Sequence, residues 1–169
     1  ATLSYTSFDG KECALPSLTD AYGFYYNKKM FAKAGITSPP KTMTELAADA
    51  KKLTVRNADG SIKVAGFVPL NQWEELDIAD LGNAFGATWF DKNGKAQLAT
   101  DPGWTAAFAW QKQLVDWYGY SNLQKVFATY THSQFNAPTA FTTGTAPKGL
   151  DGEWLPASTR APPPSPPPT

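Results

Sequence analysis

The sequence predicts an α/β fold, and three features predict it. Short stretches of strand character alternate with helical patterns along the chain. An aromatic run, Tyr22 to Tyr26, feeds directly into a helix that Asn27 is placed to cap. Two turn dipeptides, Asp59-Gly60 and Asn93-Gly94, each sit between short strand-like stretches and read as hairpins. At 169 residues the chain is long enough for one domain with a real core.

The elements follow in order. Residues 3 to 16 read as short extended pieces around the turn Asp9-Gly10. Residues 22 to 26 are aromatic with little alternation, which suits a strand buried on both faces. Lys28 to Ala34 forms a short helix, ended by Gly35 as the residue beyond its C-cap. Pro39-Pro40 forbids helix and forces an extended link. Thr42 and Glu45 fit a capping box for a helix from Met43 to Leu53 that buries Leu46, Ala50 and Leu53.

The first hairpin is followed by a helix expected from about Gln72 to Ala84, and then by the second hairpin. Asp101 or Thr100 caps the clearest helix, which has Pro102 in its first turn and runs to about Tyr118. Trp104, Ala107, Phe108, Gln111, Leu114 and Val115 fall at helical spacing, Trp110 and Trp117 share a face, and Gly119 closes the helix. A further helix is expected from Ser133 to Thr143, with Pro138 kinking it. The segment "KGLDGEWLP" is a candidate strand or turn. Six prolines in the last nine residues read as a disordered polyproline II tail.

Composition narrows the function. Lys plus Arg is 15 and Asp plus Glu is 15, so the formal net charge is zero. That argues against a nucleic-acid binder, which needs a basic face for phosphate, and against an electrostatic membrane anchor. No apolar run approaches the length of a membrane span, so no direct membrane insertion is expected. The single Cys13 cannot form an internal disulfide, and with no His beside it in "GKECALP" it reads as a small buried or half-buried residue. The single His132 builds no His-rich metal site, so neither a metal nor a cofactor is expected. The chain begins at Ala1 in polar sequence without signal-peptide character and reads as a mature product or an excised segment. Aromatic residues reach 14%, with 6 Trp, 7 Tyr and 10 Phe; most are expected in the core, with one or two on a ligand surface.

The stretch "YYNKKMFAKAGITSPPKTMTEL" resembles the signature of the family 1 extracellular solute-binding proteins of ABC importers, the maltose- and oligosaccharide-binding group. A strand ends in Tyr-Asn-Lys, a short helix ends in Ala-Gly, a Pro-Pro-Lys-Thr link follows, and the next helix carries Glu near its start. "GKECALPSLTDAYG", "NAFGATWFDKNGKAQLATDP" and "AFTTGTAPKGLDGEW" resemble further family segments, so the resemblance covers about residues 5 to 157. Pro147-Lys148 stands where the family usually has Ala-Met, Pro138 where a helix residue is expected, and the proline tail where a return strand would follow.

The resemblance implies one lobe of a two-lobed periplasmic-binding-protein-like fold, with a mixed sheet flanked by helices. It implies that residues 1–157 are the second, C-terminal-type lobe and residues 158–169 a disordered proline-rich tail. The implied function is non-catalytic binding of a small solute, a sugar or oligosaccharide, for delivery to ABC permease subunits by closure of two lobes. The implied location is extracytoplasmic, with a lipid anchor in the parent protein. Carried across, the cleft residues are Asn71, Gln72, Trp73 and Glu74, then Asp151, Glu153 and Trp154, with Tyr22 nearer the cleft than the rest of its strand. Aromatic faces stack on sugar C–H surfaces, and carboxylates and amides bond hydroxyls.

Two other readings stay open at this stage. Glu74 and Asp77, three apart on one helix face, could serve a carbohydrate-active enzyme fragment, although clustered acids there are ordinarily a solvated first turn. The chain could also be an interaction module whose proline tail recruits a partner.

Overall fold

The computed structural model describes residues 6–15, 21–69, 78–128 and 148–152. The helix expected over 133–143 and the proline-rich tail lie outside the described residues. The described strands are β1 (Ser7–Phe8), β2 (Lys11–Glu12), β3 (Tyr22–Tyr26), β4 (Val55–Arg56), β5 (Ile62–Val64) and β6 (Lys148–Gly152). The described helices are α1 (Lys28–Lys33), α2 (Met43–Leu53), α3 (Ile78–Ala84), α4 (Pro102–Tyr118) and α5 (Tyr120–Phe127). The α/β class is as expected. The described strands pair as three antiparallel two-stranded ladders, β1-β2, β3-β6 and β4-β5.

Local chemistry sets most element ends. Asp9 and Gly10 both take positive φ, +50° and +70°, which lets β1 return as β2. The Asn27 side chain accepts from the amides of Lys29 and Met30, both at 3.1 Å. Gly35, at φ +66°, gives its amide to Ala32, and Ile36 gives its own to Phe31, the two bonds of a Schellman cap. Thr42 accepts from the Glu45 amide at 3.1 Å, but the Glu45 carboxylate reaches the amide of Lys41, one residue before the cap. Asp101 caps α4 through the Gly103 amide at 2.8 Å, with Pro102 at the first helical position.

The core gathers α2, α4 and α5 around Phe67, with α3 closing one side through Leu81. Leu46, Ala47, Ala50 and Leu53 are buried along α2, one stripe of the helix. On α4 the buried stripe is Gly103, Trp104, Ala107, Trp110, Leu114 and Tyr118. Phe108, expected in that stripe, is 48% exposed, and Val115 only packs on the core's margin. Trp110 is buried, and its indole donates to the Met43 carbonyl at 2.8 Å. Trp117 shares Trp110's side of the helix yet is about a third exposed, with the Arg56 guanidinium 5.1 Å from its ring centre. Each large apolar side chain fully buried here stabilises the fold by about 1.5–3 kcal/mol.

Glycines set how closely the helices approach. A Cβ on Gly82 would stand 2.2 Å from the Trp104 ring, and one on Gly66 would stand 1.9 Å from the Ala50 carbonyl oxygen. The glycine-aromatic segment thus ends in a packed joint. Trp104 lies against Trp89 at 4.3 Å between ring centres and donates to the Thr88 carbonyl at 2.8 Å.

Three expectations are corrected. The aromatic strand β3 is half-buried, not buried on both faces, because Tyr22 is 50% exposed and the rest are intermediate. Cys13 is exposed rather than buried, since the β1-β2 hairpin it follows is itself mostly exposed. The second hairpin shrinks to a single bridge, Phe90 to Ala96, around Gly94 at φ +77°.

Candidate functional site

Most of the predicted binding residues follow Pro69 or follow β6, while Asp151 lies within β6 and Tyr22 opens β3. Asn71, Gln72, Trp73 and Glu74, together with Asp77, lie outside the described residues, as do Glu153 and Trp154. Tyr22 and the backbone of Asp151 are described, and so is the framework that leads into both segments.

The first framework is a chain of hydrogen bonds centred on Tyr118. The Thr54 hydroxyl donates to the Ala50 carbonyl at 2.7 Å and accepts from the Gly66 amide at 3.1 Å. Its proton is thereby committed, so the Tyr118 hydroxyl, 3.0 Å away, donates to it. Tyr118 in turn accepts from the Phe67 amide at 3.2 Å. Burial pushes the Tyr118 hydroxyl above its ordinary value, against the opposing pull of its bonds to Thr54 and Phe67. Gln111, half-buried on α4, donates from its side chain to the Pro69 carbonyl at 2.9 Å. Residues 65–69, which turn toward the first predicted segment, are therefore bound to both α2 and α4.

The second framework is the β3-β6 ladder, which joins distant parts of the sequence. Tyr22 lies opposite Gly152 and Gly23 opposite Asp151. The register thus brings Tyr22 and Asp151 to one end of the ladder, the end from which Glu153 and Trp154 continue. The Tyr25 hydroxyl donates to the Gly152 carbonyl at 3.0 Å. The Tyr25 ring lies along Gly23, its edge 3.4 Å from where a Cβ on Gly23 would be, an ordinary contact distance. Tyr25, Gln111 and Tyr118 were not among the predicted residues. Their partners are distant along the chain, and the one local signal is Gln111, a polar residue at the spacing of the apolar stripe of α4.

A pocket of about 410 Å³ opens beside α1, lined by Tyr26, Lys28, Phe31, Ile36 and Ser38 among others, and it contains none of the predicted residues. Among the described residues no group of His, Cys, Asp or Glu could hold a metal ion, and no helix is long and apolar enough to cross a membrane.

Residues 2–169 match the model of the bacterial extracellular solute-binding proteins. The chain belongs to that family. This solute-binding protein is 34% identical over 116 residues to a putative binding protein of Brucella abortus, covering 68% of this chain and 27% of the relative. It superimposes on the mannobiose-bound structure of CpMnBP1 with a TM-score of 0.79 at 28% identity, over 97% of this chain and 41% of that one. It also resembles the maltose-bound MalE3 of T. maritima, with a TM-score of 0.66 at 25% identity, over 95% of this chain and 39% of that one. The solute-binding protein therefore has the α/β architecture of one lobe of a two-lobed fold, and its family binds solutes for ABC transport without catalysing a reaction. The chain spans less than half the length of each of these three relatives.

Proposed function

We propose that this chain is the second, C-terminal-type lobe of a solute-binding protein that captures a sugar or short oligosaccharide and presents it to the permease subunits of an ABC importer. The observation that carries this reading is the likeness to CpMnBP1 over nearly the whole chain, in a structure that holds mannobiose. The neutral net charge and the high aromatic content suit a neutral, stacked ligand. The ligand lies against Trp73 and Trp154, with Asn71, Gln72, Glu74, Asp151 and Glu153 bonding hydroxyls and Tyr22 at the margin. Closure of a first lobe over this one completes the cleft. The whole protein works outside the cytoplasmic membrane, held there by a lipid anchor.

The experiment is a tryptophan-fluorescence titration with mannobiose, maltose and other neutral sugars, alongside Trp73→Ala and Trp154→Ala. Half a cleft supplies only part of the contacts, so this chain binds in roughly the millimolar range. A saturable change for one sugar, lost in either variant, supports the reading. A folded chain that answers to no sugar up to its solubility counts against the sugar as ligand.

A further inference from the structure

Asn93 is followed by Gly94, the one Asn-Gly pair in the sequence. Asparagine is a chemically labile residue, and glycine carries no Cβ to shield its own nitrogen from the preceding side chain. The reaction this pair invites is internal and consumes only water. The Gly94 nitrogen attacks Cγ of Asn93, a C–N bond forms and the Cγ–Nδ2 bond breaks. The proton of the Gly94 amide ends on the departing nitrogen, which leaves as ammonia, and a succinimide ring remains. Water then opens the ring to aspartate or isoaspartate at position 93. Asn93 is exposed, and among the described residues its side-chain amide has no hydrogen-bond partner, so the side chain itself offers no obstacle.

The obstacle is Asp91. Gly94 donates its amide to the Asp91 carbonyl at 3.0 Å. The Asp91 carboxylate accepts from the Asn93 amide at 2.8 Å and the Lys95 amide at 2.9 Å. The Asp91 amide donates to the Lys95 carbonyl at 2.9 Å, and the Phe90–Ala96 bridge closes the turn just outside. One residue thus holds the backbone amides of Asn93, Gly94 and Lys95 together. Attack requires the Gly94 nitrogen to swing over the Asn93 side chain and to give up its proton. In the folded turn that proton faces the Asp91 carbonyl, and the amides on either side are fixed through the carboxylate. The reactive geometry is reached only by local opening, and the rate follows the share of time in which the reacting atoms are aligned.

We propose that Asn93 is a latent deamidation site and that Asp91 is its guard, holding the turn closed against succinimide formation. Reaction would be costly for the loop. Aspartate at 93 sets a second carboxylate close to Asp91, and isoaspartate carries the backbone through the side-chain carbon, lengthening the turn inside the Phe90–Ala96 bridge. That loop leads to Trp89, which packs on Trp104 and accepts at its carbonyl from the Gln97 amide at 2.8 Å. The proposal does not depend on which solute the protein binds.

The test is ageing of the whole chain in mildly alkaline buffer, with the exchange of NH₂ for OH at residue 93 followed by peptide mass mapping. Wild type, Asp91→Ala and Asp91→Asn are aged folded, as checked by circular dichroism, and the wild type is also aged in guanidinium chloride. Asp91→Ala lacks the side-chain acceptor and is expected to convert about tenfold faster than wild type, the weight of one or two ordinary hydrogen bonds. Asp91→Asn keeps an acceptor oxygen and stays nearer to the wild-type rate. Unfolded wild type converts faster than any folded chain. The proposal is overturned if folded Asp91→Ala converts at the wild-type rate, if Asp91→Asn converts as fast as Asp91→Ala, or if wild type converts no faster unfolded than folded. The last comparison needs no variant, so it decides the matter even where Asp91→Ala fails to fold.

Discussion

The Tyr118 hydroxyl lies 3.0 Å from the Thr54 hydroxyl, and the pair joins the end of α4 to the end of α2. Through them the backbone amides of Gly66 and Phe67 are satisfied inside the core. Tyr118→Phe leaves the Phe67 amide without its acceptor and removes the hydroxyl that donates to Thr54. The expected cost is about 1–3 kcal/mol, read as a lower urea midpoint at unchanged slope.

The same residue makes stability depend on alkaline pH. Burial raises its folded-state pKa above the ordinary 10.0. The unfolded chain then loses this proton first, so the contribution is complete below pH 10 and is lost as pH rises through the higher folded value. Thermal melts between pH 9 and about 11 are expected to fall more steeply for the wild type than for Tyr118→Phe. Parallel curves would remove Tyr118 as the cause.

Asp101 works in the opposite direction. Its carboxylate accepts from the Thr88 hydroxyl at 2.8 Å, the Thr88 amide at 3.0 Å and the Gly103 amide at 2.8 Å. Its pKa is lowered below 3.8, chiefly by the Thr88 hydroxyl and then by the Gly103 amide. The stabilisation is present above 3.8 and fades as pH falls through the lower folded value. Asp101→Asn sets an NH₂ donor against the two donors of Thr88. The variant is expected to melt earlier at pH 7 and to lose part of the wild-type fall in stability below pH 4, both measurable by circular dichroism.

A helical glycine usually gains stability when replaced by alanine, by about 1 kcal/mol. Gly82→Ala is expected to do the reverse, because the new Cβ meets the Trp104 ring, which is only 1% exposed and has nowhere to move. Overpacking of this kind costs about 1–3 kcal/mol net. Gly66→Ala should be worse, since the obstacle is the backbone carbonyl of Ala50. A neutral or stabilising Gly82→Ala would show that α3 slides on α4 without resistance.

Arg56 donates to the carbonyls of Gly60, Trp117 and Tyr118 and lies over the Trp117 ring. It ends α4 by neutralising the negative end of the helix while covering an exposed indole. Lysine keeps the charge and loses the planar fork. Arg56→Lys is expected to cost about 1 kcal/mol, with a red shift in tryptophan emission as Trp117 gains water.

The sequence by itself determined what depends on near neighbours. The caps at Asn27, Thr42 and Asp101, the turns at Asp9-Gly10, Asp59-Gly60 and Asn93-Gly94, and the extent of α2 and α4 are local chemistry, satisfied within a few residues. The family was also legible, because its signature is a contiguous run of such features. Helix α5 went unread although Leu123, Val126 and Phe127 mark its apolar face: it follows α4 with only Gly119 between them and has no side-chain cap. The tertiary structure alone decided what depends on distant partners. It paired β3 with β6, left Phe108 and Trp117 at the surface while Trp110 went inside, and aimed Tyr25 and Gln111 at carbonyls far along the chain. Periodicity tells which side of a helix is apolar, but not where the neighbouring element stops covering it. A hydrogen-bond donor shows its purpose only when folding brings the acceptor to it.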